Sequence, residues 1–151
     1  MLRAQGRQYC VGGDLRDFVA HSDDIVAYVS LLAETVNAAV ETLVRMPVPV
    51  VVAVHGAIAG AGLGLALSGD LCVAGASSRF STAHLAVGRS PDAGVTALLP
   101  RAVGPRHGTG AAAGAASRSG RRRQSTGVRL VARHPSERRE LSLRDVSLLF
   151  A

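Results

Sequence analysis

The stretch that most restricts the fold runs from Pro47 to Asp70 and reads PVPVVVAVHGAIAGAGLGLALSGD. Residues 48–54 are a β-branched apolar run without alternation, the pattern of a strand buried on both faces. Residues 55–62 form a glycine-rich turn, and 63–68, apolar but without β-branching, begin a helix. A strand that feeds through glycines into a helix leaves unpaired backbone N–H groups at the positive end of the helix dipole. Such a turn can hold a phosphate or the oxyanion of a reacting carbonyl. A purely structural turn explains the same residues. The phosphate-loop reading lacks its Gly-Lys-Ser/Thr, and a lone glycine pattern is weak evidence for a dinucleotide. The turn needs chemical partners from elsewhere in the chain.

The chain has 151 residues and is 48% hydrophobic, enough for one core and too apolar for global disorder. The opening MLRAQGRQYC has no apolar leader, and glycine and charge break the apolar run after Val54. The expectation is a cytoplasmic protein without a membrane span. Cys10 and Cys72 lack metal-ligand spacing and read as ordinary buried thiols, with a disulfide left open. No metal is expected. The net charge of +6 is uneven: residues 1–104 hold seven arginines against eight acids, and 105–151 hold ten against three. No lysine occurs anywhere.

Along the chain, 2–8 reads as the end of a strand, and YCVGGDL (9–15) as a second glycine turn in which Asp14 can start a short helix. Ser22 or Asp23 can cap a long helix in which Ile25, Val29, Leu32, Val36, Ala39, Val40 and Leu43 recur at helical spacing. Met46-Pro47 stops it. After the central stretch, 71–74 is a short strand, 77–82 a polar turn, GRSPDAG (88–94) a loop, and 93–103 a helix interrupted at Pro100. Beyond Gly104 the composition shifts to Ala, Gly, Ser and Arg. There 128–131 is too short to build a core, and 137–150 could form a brief amphipathic helix.

Residues 1–104 resemble the crotonase family (enoyl-CoA hydratases and isomerases) through three co-ordered blocks: YCVGGDL, PVPVVVAVHGAIAGAGLGLALSGDLCVAG and SRFSTAHLAVGRSPDAGVTALLPRAVG. The resemblance implies an α/β fold with the family's repeated ββα spiral core. It also implies fatty-acid-type metabolism of an acyl-CoA thioester, with coenzyme A as part of the substrate and no separate cofactor. In the family, two backbone N–H groups from separate turns hold the thioester oxygen as it becomes an enolate. By position these are Gly13 and Ala61, within substrate-binding turns formed by Val11, Gly12, Gly13, Asp14, Leu15, Gly60, Ala61 and Gly62. A tight turn is the plain alternative for Gly13. The two glutamates of the family's hydratases fall here on Gly64 and His84, so hydration lacks its acid and base. Asp92 matches the aspartate that serves several isomerases as acid/base, which favours an isomerase over a hydratase, a lyase activity; helix capping is the alternative role. His84 is a spacer or a proton carrier. Asp70 is read as structural and His55 as a turn residue.

Relative to the family the core is incomplete, opening about where its first strands should end and leaving the pattern near Gly104. Residues 105–151 are therefore expected to be a non-family, largely disordered tail. A frameshift would account for that, the shifted reading being compatible with an apolar helix at 104–114. Family members form homotrimers or hexamers, but the trimer-forming part is absent from this pattern. A catalytically inactive remnant is the alternative to an enzyme. Nucleic-acid binding through Arg121, Arg122 and Arg123 is a remote third, because no aromatic residue before Phe150 accompanies the arginines of the tail.

Overall fold

A computed structural model describes residues 1–75, 78–84, 87–112 and 129–132. The chain passes through β1 (Leu2–Arg3), α1 (Leu15–Ala20), a 3-10 turn (Ser22–Asp24), α2 (Ile25–Val44), β2 (Val51–Val54), β3 (Ala57–Ala59) and α3 (Ala61–Leu67). It continues through β4 (Leu71–Ala74), β5 (Arg79–Ser81), α4 (Val95–Val103), α5 (Pro105–Ala112) and β6 (Arg129–Ala132).

Two small sheets result. The first has the order β1-β2-β4-β6, parallel through β4 and antiparallel at β6. The second pairs β3 with β5 in parallel, Ile58 opposite Phe80, and Cys10 bridges Ile58 from the other side, also in parallel. Val52, Val54, Ile58, Leu63 and Cys72 meet Val95 and Leu99 of α4 in one core cluster. Asp70 pins the start of β2: its Oδ2 accepts the Val50 N–H at 2.8 Å, while the Asp70 N–H donates to Val50 O. This is the structural role read from the sequence. His55 Nε2 sits 2.9 Å from Gly6 O, tying the turn at 55–62 to the N-terminal segment.

Several expectations change. β2 starts at Val51 and buries alternate residues, Val52 and Val54, because its other face is only half covered. The glycine turn at 55–62 contains the strand β3, and the polar turn at 77–82 contains β5. The three-residue strands Ala-Ile-Ala and Arg-Phe-Ser carry too short a pattern to register. Pro100 does not interrupt α4, since Val95, Leu98 and Leu99 anchor the helix in the core on the N-terminal side of the proline. In α2 the apolar stripe turns inward as its spacing requires, but Ala39 is exposed and only Val40 is fully buried. By length and composition alone, Ser22–Val44 is also apolar enough to cross a membrane, contrary to the run-based reading. Glu34 and Glu41 are the only charges in α2, so its average stays apolar although polar residues keep every run short. Residues 129–132 pair with β4 as an edge strand, and Gly108 of α5 lies so close to Pro100 that an added Cβ would stand 2.3 Å from Pro100 Cα. The expectations for 113–128 and 133–151, including the Arg121–Arg123 run and the helix at 137–150, lie outside the described residues.

Candidate active site

Three parallel segments end side by side: Cys10, β3 and β5. Each is followed by a turn at the same end of the sheet, namely 11–14, Gly60 with Ala61, and 82–84. Open α/β sheets bind ligands outside the carboxyl ends of their strands. Here the three turns, with Arg89 and Asp92 of the following loop, line a cleft of about 700 Å³.

The first two turns touch through glycine. Gly12 has φ +97° and Gly60 φ +53°, conformations that an L side chain rarely adopts. A Cβ built on Gly12 would lie 3.5 Å from Ala61 N, so the two backbones approach within side-chain distance. Val11, Gly12, Gly13, Asp14 and Leu15 all line the cleft, as do Gly60 and Ala61. Among the described residues neither the Gly13 nor the Ala61 N–H has a hydrogen-bond acceptor. Gly62 is the exception. It faces away from the cleft, where an added Cβ would fall 2.2 Å from Cys10 O; its lack of a side chain serves the packing of α3 on the first turn.

Asp14 caps α1 by accepting the Arg16 backbone N–H at 2.9 Å. The Arg16 guanidinium bonds the same carboxylate at 3.2 and 2.8 Å, and these bonds hold the Asp14 carboxyl below the usual carboxylate range. The pair is exposed and its energetic weight is small.

Asp92 is held differently. Its Oδ1 lies 2.9 Å from His84 Nε2, and its Oδ2 accepts from Arg89 Nη2 at 3.0 Å. The Asp92 side chain is 16% exposed and that of His84 4%. The Arg89 guanidinium in turn lies 5.3 Å from the centroid of the Phe18 ring, whose edge faces Gly13. An Arg–aromatic contact therefore links the first turn to the Asp92 loop. Gly64 explains a missing group: an added Cβ would stand 2.1 Å from Ala93 O and 2.7 Å from Ala93 Cβ. No side chain fits there.

Sequence reading placed Gly13, Ala61 and Asp92 in one site, and the fold does bring them to one cleft. It did not pair His84 with Asp92, nor include Arg89, Arg16 or Phe18. His84 and Asp92 are eight residues apart in a loop, where no periodicity signals contact. Among the described residues no cluster of His, Cys, Asp and Glu could hold a metal ion.

A family profile described as Enoyl-CoA hydratase/isomerase matches residues 1–132. The chain belongs to the enoyl-CoA hydratase/isomerase family. Relatives within it include the trans-2-decenoyl-[acyl-carrier-protein] isomerase of Streptococcus mutans, 41% identical over 106 residues. The 1,2-epoxyphenylacetyl-CoA isomerase of Escherichia coli K12 is 39% identical over 105 residues. Each of these matches covers 69% of this chain and 40% of the relative, so the chain spans about 40% of their length. The crystal structure of an enoyl-CoA hydratase from Polaromonas sp. JS666 superimposes with a TM-score of 0.66 at 30% identity, covering 72% of this chain and 42% of that one. The fold is the crotonase fold of this hydratase/isomerase family.

Proposed function

We propose that the protein isomerises an acyl thioester, such as an enoyl-CoA, through an enolate. The Asp92 carboxylate removes a proton from one carbon of the acyl group, and the electron pair delocalises onto the thioester oxygen. The Gly13 and Ala61 N–H groups donate to that oxygen. The proton returns to a different carbon, so the double bond moves and no atom is gained or lost. Loss of one such oxyanion donor costs roughly 3 kcal/mol of barrier in other enzymes.

The observation that carries this reading is the composition of the cleft. Among the described residues it joins two acceptor-free N–H groups to one mostly sheltered carboxylate, and it offers no second free carboxylate for activating water. The other acid lining it, Asp14, is tied to Arg16. Both relatives described above are named as isomerases, which agrees.

The test is incubation of the full chain with a 3-enoyl-CoA, following formation of the conjugated 2-enoyl product by absorbance. Turnover is expected, and Asp92→Asn should lower kcat by about 100-fold or more with KM little changed. Appearance of a hydrated product, or an Asp92→Asn enzyme as fast as the parent, overturns the reading. A second reading, a non-catalytic family member, is favoured by the exposure of Val11 and Leu15 at the cleft, which leaves it open to water. It is supported by acyl-CoA binding without turnover in the same assay.

A further inference from the structure

We propose that His84 is a positioning residue: its buried imidazole, as the neutral Nε2–H tautomer, donates to Asp92 Oδ1 and fixes that carboxylate in the cleft together with Arg89. The proposal rests on Asp92 as the proton carrier and names the group that sets its orientation.

The first observation is the contact itself. His84 Nε2 is 2.9 Å from Asp92 Oδ1 but 3.5 Å from Asp92 N, and only the shorter distance is a full hydrogen bond. A carboxylate oxygen accepts, so Nε2 carries the proton. The second is the other ring nitrogen. His84 Nδ1 is buried and has no hydrogen-bond partner among the described residues. A proton on Nδ1 would strand a buried donor, whereas a bare Nδ1 strands only an acceptor, which is the cheaper defect. Both nitrogens thus select the same tautomer.

The third observation is backbone strain. Among the described residues only two besides glycine have positive φ, Ala83 at +54° and Ala93 at +51°. One immediately precedes His84 and the other immediately follows Asp92. Left-handed alanines persist where surrounding structure over-determines them, and they concentrate at functional sites. The carbonyl of His84 also gathers its own loop, accepting from the Val87 and Arg89 N–H groups at 3.1 and 2.9 Å. Imidazole, carboxylate and guanidinium are therefore held by one closed piece of chain.

The test uses the full chain labelled with 15N-histidine, with the His84 ring signals assigned as those lost in His84→Phe. In the parent, the ring nitrogens should report Nε2 protonated and Nδ1 bare at neutral pH. Asp92→Ala should abolish that preference. In the isomerisation assay, His84→Phe should lower kcat by about 100-fold with KM nearly unchanged. His84→Gln, which keeps an N–H donor for Asp92, should recover most of the loss; a merely structural role would move neither the tautomer nor the kcat/KM split in this way. A parent ring protonated on Nδ1, or charged, overturns the proposal without help from any variant. A His84→Phe enzyme with parental kcat, alongside a dead Asp92→Asn, overturns the role of His84 and leaves the proposed function standing. An active Asp92→Asn overturns both.

Discussion

Ala83 and Ala93 show how much conformational energy a single residue can hold. A left-handed alanine costs about 1–2 kcal/mol, and glycine in its place gives back about 0.5–1 kcal/mol of unfolded-state freedom. Ala83→Gly should therefore raise unfolding stability by roughly 0.5–1 kcal/mol. The measurement is a urea midpoint, and a lower midpoint would sink the argument. Gly64 behaves oppositely. Gly64→Ala pushes a methyl into the Ala93 carbonyl and should cost at least about 1–3 kcal/mol. At this scale the sequence was partly legible. Gly13, Ala61 and Asp92 could be placed through motif order, because glycine and proline mark turns wherever they stand. The left-handed alanines and the His84–Asp92 contact could not, because alanine carries no sign of positive φ and loop residues carry no period.

At the scale of elements, α2 and β4 make contrasting predictions. In α2 the inward stripe was legible because a 20-residue helix repeats its pattern five times over. The outward face keeps Val26 and Leu31 in water, 78% and 62% exposed. Val26→Glu with Leu31→Glu should leave stability within about 0.5 kcal/mol while reducing concentration-dependent association in sedimentation velocity. Unchanged association would show that these side chains do not drive it. Strand β4 is enclosed between β2 and β6, and burial pushes the Cys72 thiol from 9.0 up to about 11. Burial likewise raises the Tyr9 phenol from 10.0 to about 12. Both groups stay protonated in the folded chain where the unfolded chain would release their protons. The contribution of these two groups to stability should thus be constant below about pH 9 and fall progressively above it, most steeply between the unfolded and folded pKa values of each group. A urea midpoint series through that range tests this. A flat series at high pH would contradict it. The three-residue strands β3 and β5 were illegible for the reason that α2 was not: their pattern ends before it repeats.

At the scale of the whole molecule, fold class and the candidate cleft came from the order of three motif blocks, which survives even where individual elements are misread. The change of composition at Gly104 does not end the described packing: α5 lies against Pro100, β6 pairs with β4, and the family match continues to residue 132. Amino-acid usage reports what a segment is made of, and strand pairing depends on backbone groups that every residue shares.

The contact between Gly64 and the Ala93 carbonyl has a consequence for how this chain can change. The loop that presents Asp92 occupies the volume a side chain at 64 would need. A carboxylate at 64 and Asp92 in its present place are therefore alternatives. On the role proposed for Asp92, the two positions are not independent: a carboxylate added at 64 displaces the loop that carries Asp92. A single methyl's width of space thus makes positions 64 and 92 epistatic.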